Sequence, residues 1–216
     1  MKHFLTILIA LLITGCTEEF FYQKHLQKNY GDYESKLASY NHRISENTND
    51  ATAYYERGDL LRGLGQYDLA LADFDRAIKL QPDFDEAYLA RGYLKYNYCS
   101  FRSDKTIFKD ALTDAEKLIE LNHSKYDAYL LRGRVHEAMY DYDESLKDYS
   151  MAIDLNPKGA RAYYCRASLL YYKFHNTTNS MEDLNTAYNL FKSDNDKEGQ
   201  RSAKDLKKFI IEMKNL

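Results

Sequence analysis

Tryptophan is absent from this chain of 216 residues, which holds only two prolines, nine glycines and three cysteines. So little proline and glycine excludes collagen-like and loop-dominated architectures and leaves long helices open. Cysteines at 16, 99 and 165 are too few for a disulfide scaffold and show no CxxC spacing. Neither sign of charge dominates: 30 Lys and Arg face 33 Asp and Glu, net −3. No basic excess therefore exists to neutralise nucleic-acid phosphates, and no nucleic-acid partner is expected. Histidines at 3, 25, 42, 123, 136 and 175 form no HExxH or other paired ligand spacing. GxSxG, Walker and GxGxxG loops are missing as well. The expectation is a non-catalytic protein without metal or cofactor. What is present is 44% hydrophobic and 29% charged residues, enough for a folded core, and a surplus of aromatics: 21 Tyr and 10 Phe.

The first residues stand apart. Met1-Lys2-His3 is a short positive start, and residues 4–13 are apolar apart from Thr6. That run is shorter than the roughly 20 residues a bilayer span needs and has the length of a signal-peptide core. Ile13-Thr14-Gly15-Cys16 then resembles the bacterial lipobox. The resemblance implies removal of residues 1–15 as a lipoprotein signal peptide, lipidation of Cys16, and a lipid-anchored protein of the bacterial cell envelope, at its periplasmic or surface face. An ordinary signal peptide or an uncleaved anchor, with Cys16 unmodified, is the alternative. Glu18-Glu19 after the cysteine resembles surface-export signals of some Bacteroidetes lipoproteins, or else favours the first turn of a helix.

The rest repeats. Residues 51–84 place Tyr54, Gly58, Gly65, Tyr67, Ala70, Phe74, Ala77 and Pro82 at positions 4, 8, 15, 17, 20, 24, 27 and 32. Residues 126–159 repeat the pattern with Tyr129, Gly133, Tyr142, Ser145, Tyr149, Ala152 and Pro157. Units at 85–125 and 160–194 carry it with additional residues, about seven expected in the turn around 100–106 in the former and a stretched turn over 175–179 in the latter. Residues 17–50 keep Gly31, Tyr33, Tyr40 and Ile44 but have Lys24 where a small residue belongs, and are expected to be a degenerate capping repeat. Residues 195–216 are expected to form a C-terminal capping helix, with Leu206, Phe209, Ile210 and Met213 at helical spacing. Each unit has two apolar helical stripes around a turn and buries its face only by stacking.

This pattern resembles the tetratricopeptide repeat. The resemblance implies an all-α fold, a right-handed α-solenoid of helix-turn-helix repeats, ten helices for five units plus the cap. The departures are Arg57 where Leu is usual and Tyr54 in place of Trp.

Position 7 is Arg in four units, at Arg57, Arg91, Arg132 and Arg166; position 23 is Asp in the same four, at Asp73, Asp114, Asp148 and Asp183. The degenerate unit lacks both, with Gln23 and Ser39. Joint presence and joint absence predict a structural ladder of ion pairs joining first and second helices, rather than a charged track for a ligand.

In such solenoids the first helices line a concave groove, as the resemblance implies. The positions facing it give Tyr55, Asp59 and Arg62, then Glu86, Leu89, Tyr93, Tyr96 and Asn97, then Asp127, Leu130, Arg134 and Glu137, then Arg161, Tyr164, Tyr171 and Tyr172. Tyr55, Tyr93, Tyr96, Arg134, Tyr164 and Tyr171 are the expected contacts to a protein or peptide, since tyrosine offers large area and a hydroxyl at low entropic cost. Packing against neighbouring helices is the competing role for these tyrosines. Family members that clamp a chaperone's terminal carboxylate use Lys, Asn and Arg where this chain has Tyr55, Asp59, Ala90, Asp127 and Leu131, so no carboxylate clamp is expected. The function expected is protein–protein interaction at the envelope. The alternative is a passive structural or assembly subunit of an envelope complex for secretion, outer-membrane or pilus biogenesis.

Overall fold

In the computed structural model, residues 17–102, 105–122 and 125–214 are described, with side chains given for 32–97, 108–122 and 125–214. Cys16, the signal segment 1–15 and His123 lie outside the described residues, as does the side chain of Cys99. Ten helices account for nearly all of the described chain: α1 (Thr17–Glu46), α2 (Ala51–Gly63), α3 (Tyr67–Leu80), α4 (Asp85–Arg102), α5 (Lys105–Leu121), α6 (Tyr126–Ala138), α7 (Tyr142–Leu155), α8 (Ala160–Tyr172), α9 (Thr177–Ser193) and α10 (Lys197–Lys214). They fall into two compact units, one ending at Leu80 and one beginning at Gln81.

In the first unit, α1 packs on α2, and α2 pairs with α3. Asp50 caps α2 by accepting from the Ala53 amide at 2.9 Å and also takes Arg43, whose guanidinium reaches Glu56 as well. A cap of this kind is worth about 1 kcal/mol. The helix ends because Gly65 turns left-handed, with φ 75°, letting the Gln66 amide reach back to the Leu61 carbonyl at 2.9 Å. Residues 17–46 are one continuous helix of 30 residues rather than a helix pair. Gly31 lies inside it. A helix-interior glycine costs only about 1 kcal/mol relative to alanine, and without a small residue at Lys24 nothing favours folding the segment back on itself.

In the second unit, α4 pairs with α5, α6 with α7, α8 with α9, and α10 packs on α9 and α8. The extra residues of the 85–125 unit do not make a long loop: α4 and α5 run for 18 and 17 residues, against 13 and 14 in α6 and α7. Likewise Thr177–Asn179 open α9, capped by Asn176, so that turn is short. The core is built between repeats. Phe108, Ala111 and Ala115 of α5 close on Leu131 and Val135 of α6. Tyr149, Ala152 and Ile153 of α7 close on Ala162 and Leu169 of α8. On α10, Ala203, Leu206 and Ile210 are buried, whereas Phe209 and Met213, expected in the same stripe, stay 40% and 48% exposed on its flank.

Close helix approach explains the small residue at position 8. A Cβ on Gly133 would sit 2.8 Å from the Tyr149 ring, and one on Gly58 2.9 Å from Phe74. In the last repeat the partner is Leu184 instead of a ring, and there Ala167 fits.

Candidate functional site

The four Arg–Asp pairs come together in the structure, each across its own helix hairpin. Arg57 Nε and Nη2 donate to both oxygens of Asp73 at 2.8 and 2.7 Å, Arg132 to Asp148 at 2.9 and 2.7 Å, and Arg166 to Asp183 at 2.8 and 2.9 Å. Arg91 does the same to Asp114, which is 1% exposed and also takes Lys95 at 3.1 Å. The third guanidinium nitrogen is spent on the preceding element: Arg57 Nη1 on Asn41 of α1, and Arg166 Nη1 on Ser150 of α7. Each arginine also lies over the position-4 tyrosine, such as Arg132 at 5.4 Å from the Tyr129 ring. Hydrogen bonding to the carboxylate raises the pKa of Arg57, Arg132 and Arg166 above the usual arginine value. Carboxylates buried this deeply, with both oxygens occupied, serve the scaffold.

The first helices of the second unit, α4, α6 and α8, lie side by side, and on them a different arrangement appears. The Arg134 guanidinium sits 4.6 Å from the Tyr96 ring and 5.8 Å from the Tyr93 ring. It forms no ion pair among the described residues. Cation–π contact of this kind is worth about 1 kcal/mol and rises as water is excluded. Beside it opens a pocket of about 320 Å³ lined by Tyr93, Tyr126, Asp127, Leu130, Arg134 and Arg161. Burial raises the hydroxyl pKa of Tyr93 and Tyr96, so both stay neutral donors. Tyr126, pushed up to about 12 mainly by burial, accepts from the Ala162 amide at 3.2 Å and ties α6 to the start of α8. Burial also raises the Asp127 carboxyl. One turn along α6 from Arg134, Glu137 accepts from the Tyr149 hydroxyl at 2.7 Å, and burial lifts its pKa too. Half-buried Cys165 has its thiol pushed up to about 11 by burial, which leaves it protonated and unactivated at neutral pH.

Of the expected contact residues, Tyr93, Tyr96 and Arg134 are gathered into this site. Tyr164 and Tyr171 instead pack against the cluster of α8, α9 and α10, and Tyr171 meets Phe209 edge-on at 6.1 Å. Tyr55 belongs to the first unit and leans on Phe74 at 6.0 Å. Tyr126 was not expected here, because position 1 of the repeat has no residue preference that would flag it. Among the described residues no cluster of three or more His, Cys, Asp or Glu could hold a metal ion, and no helix is long and apolar enough to cross a membrane.

Comparison with known proteins identifies the repeat in two stretches of the chain. The tetratricopeptide repeat profile matches residues 51–84, and a second profile of the same repeat matches 126–158. Human tetratricopeptide repeat protein 6 is 27% identical over 124 residues, which cover 57% of this chain and 23% of that protein. This chain therefore spans less than a third of the length of such relatives. Among solved structures, MamA from Desulfovibrio magneticus RS-1 superposes with a TM-score of 0.65 at 21% identity, over 82% of this chain and 97% of that one. The first TPR of Spaghetti (RPAP3) bound to an HSP90 peptide superposes at 0.50 with 23% identity, over 55% of this chain and 89% of that one. These likenesses show an α-solenoid fold.

Proposed function

Because this chain is a tetratricopeptide-repeat protein, we propose that it recognises a protein or peptide partner through the face of α4, α6 and α8, and that it does so without catalysis. A protein-interaction role is supported by the repeats themselves. The observation that carries the finer reading is Arg134, laid on Tyr96 and Tyr93 and left without a counter-ion beside an open pocket. Every ladder arginine gives two donors to a buried carboxylate, whereas this one reaches no carboxylate among the described residues. Tyrosine and arginine are also the residue types that dominate binding energy at interfaces. Tyr55, Asp59, Ala90, Asp127 and Leu131 stand where a carboxylate clamp would have Lys, Asn and Arg, which favours a partner other than a chaperone's terminal carboxylate.

The site of action we propose is the bacterial envelope, with Cys16 as the lipid attachment point after loss of residues 1–15. The lipobox-like Ile13-Thr14-Gly15-Cys16 supports this, and two or more acyl chains would hold the chain stably at a membrane. Palmitate labelling of the parent, lost in Cys16→Ser, tests the anchor; equal labelling of both overturns it.

The groove is tested by a photo-crosslinker placed at Arg161, which is exposed on the pocket rim. We expect a specific adduct in the native envelope that disappears in Arg134→Ala/Tyr96→Ala, a variant that keeps its helical content. An adduct unchanged in that variant, or none at all, would remove the groove reading and favour a passive assembly subunit.

A further inference from the structure

Helix α10 ends the second unit, and among the described residues it packs only on α9 and α8, so its outer side has no neighbour. Its charges are sorted. Lys197, Arg201, Lys204 and Lys208 follow one helical strip, and Lys207 and Lys214 follow the next. At 3.6 residues per turn these six fall within an arc of about 140°, outside the packed strip of Gly199, Ala203, Leu206 and Ile210. No acid interrupts the arc. Glu198, Asp205 and Glu212 recur every seven residues along its edge, where only Arg201 and Lys208 meet Asp205 and Glu212, loosely, at 3.8 and 3.7 Å. Lys207 donates to Asn185; Lys197, Lys204 and Lys214 meet no carboxylate among the described residues. In the middle of this cationic strip stands Ile211, 46% exposed.

The helix carries six cations against three acids, a net of +3 in a chain of net −3, so the remainder is net −6. This is a cationic face on an acidic protein, straight over about 25 Å from Lys197 to Lys214. We infer that it docks edge-on to an anionic lipid surface. A plane of headgroups matches every lysine on a straight helix at once, and lysine stems can run along the interface while their ammonium groups meet phosphate. Ile211, set among them, has a place in the acyl boundary that it lacks in water. Each lysine brought to such a surface contributes roughly 1 kcal/mol. The inference stands apart from the proposed Cys16 anchor: an acyl chain inserts whatever the headgroup charge, while this face discriminates by charge and is screened by salt.

The test is co-sedimentation of the unacylated full chain, as Cys16→Ser, with phosphatidylcholine vesicles and with vesicles that also contain phosphatidylglycerol. We expect tighter binding to the anionic vesicles, falling as salt rises. Lys204→Gln/Lys207→Gln/Lys208→Gln should lower that affinity on the order of 100-fold, about a factor of five per lysine, and leave binding to neutral vesicles unchanged. All three positions lie off the packed strip, so helical content should be retained. Ile211→Ala should cost a few-fold on anionic vesicles alone. Equal binding of parent and triple variant, equal binding to both vesicle types, or no binding to anionic vesicles would each overturn the inference. Retention on an acidic protein or a nucleic acid but not on anionic vesicles would overturn it too. Loss of acylation in the Cys16→Ser background bears on the anchor alone.

Discussion

The repeats at 51–84 and 126–158 are two copies of one scaffold that diverge where they meet the outside. Both hold a bidentate Arg–Asp pair across the hairpin, Arg57–Asp73 and Arg132–Asp148. Both set a glycine beneath an aromatic ring, Gly58 under Phe74 and Gly133 under Tyr149. At positions 9 and 12 their charges are reversed. The first has Asp59 and Arg62, paired with each other at 2.6 Å and both 46% exposed. The second has Arg134 and Glu137, half-buried, the one on tyrosine rings and the other on the Tyr149 hydroxyl. An exposed pair that neutralises itself offers a partner little. Desolvated groups supported from behind and open in front are what recognition uses.

Breaking what the two repeats share should have the largest effect. Arg57→Ala and Arg132→Ala should each lower stability by about 3–5 kcal/mol, because each strands a buried carboxylate; denaturant midpoints measure this, and an unchanged midpoint would refute the ladder. Arg91→Ala should be milder, since Lys95 remains on Asp114. Next comes the glycine under the ring. Gly58→Ala and Gly133→Ala should each cost about 1–3 kcal/mol through overpacking, and Gly58→Ala/Phe74→Leu should recover part of that, imitating the Ala167–Leu184 pairing of the last repeat.

The remaining effects sharpen the contrast. At position 15 the first repeat has Gly65 and the second has Tyr140, 64% exposed at φ 72°. Left-handed backbone penalises a side chain by about 1 kcal/mol, so Tyr140→Gly should raise the melting temperature and Gly65→Tyr lower it. Arg62→Ala should change stability by less than about 0.5 kcal/mol, as an exposed pair three residues apart on one helix, whereas Arg134→Ala should abolish the partner crosslink. The smallest effect is on pH dependence. Burial raises the Glu137 pKa, against the pull of the Tyr149 hydrogen bond. The folded chain thus holds this proton longer than the unfolded one. Its contribution is full below the ordinary glutamate range and is lost as pH rises through the raised value. Glu137→Gln should flatten stability between weakly acidic and neutral pH in denaturant titrations; an unaltered profile would mean Glu137 is not the group responsible.

Legibility in the sequence followed the same division. Positions 7 and 23 could be paired by their joint occurrence, because a residue that appears and disappears together with its partner from unit to unit leaves a trace in the sequence. The additional residues of the 85–125 unit left no such trace. They read as a loop, yet helix propagation costs little once a helix is packed, and α4 and α5 absorb them. The single helix over 17–46 was missed for a similar reason: Gly31 has the spacing of a turn, but without a small residue opposite it there is no second helix to turn toward. Among the tyrosines, repeat position says which way a side chain leaves its helix and nothing about what it meets. Tyr171 finds Phe209 of α10, while Tyr93 finds Arg134 of α6.

The sequence by itself determined the repeat length, the all-helical class, and the glycine, aromatic and ion-pair positions that each unit must share, because these obey spacings within one hairpin. Tertiary structure alone decided which aromatics became core and which became floor, that Arg134 meets no carboxylate among the described residues while four other arginines each hold a buried one, and that the cations of α10 lie outside the strip packed on α8 and α9. Burial and charge pairing depend on what the neighbouring repeat places opposite a residue, and no spacing within one repeat contains that.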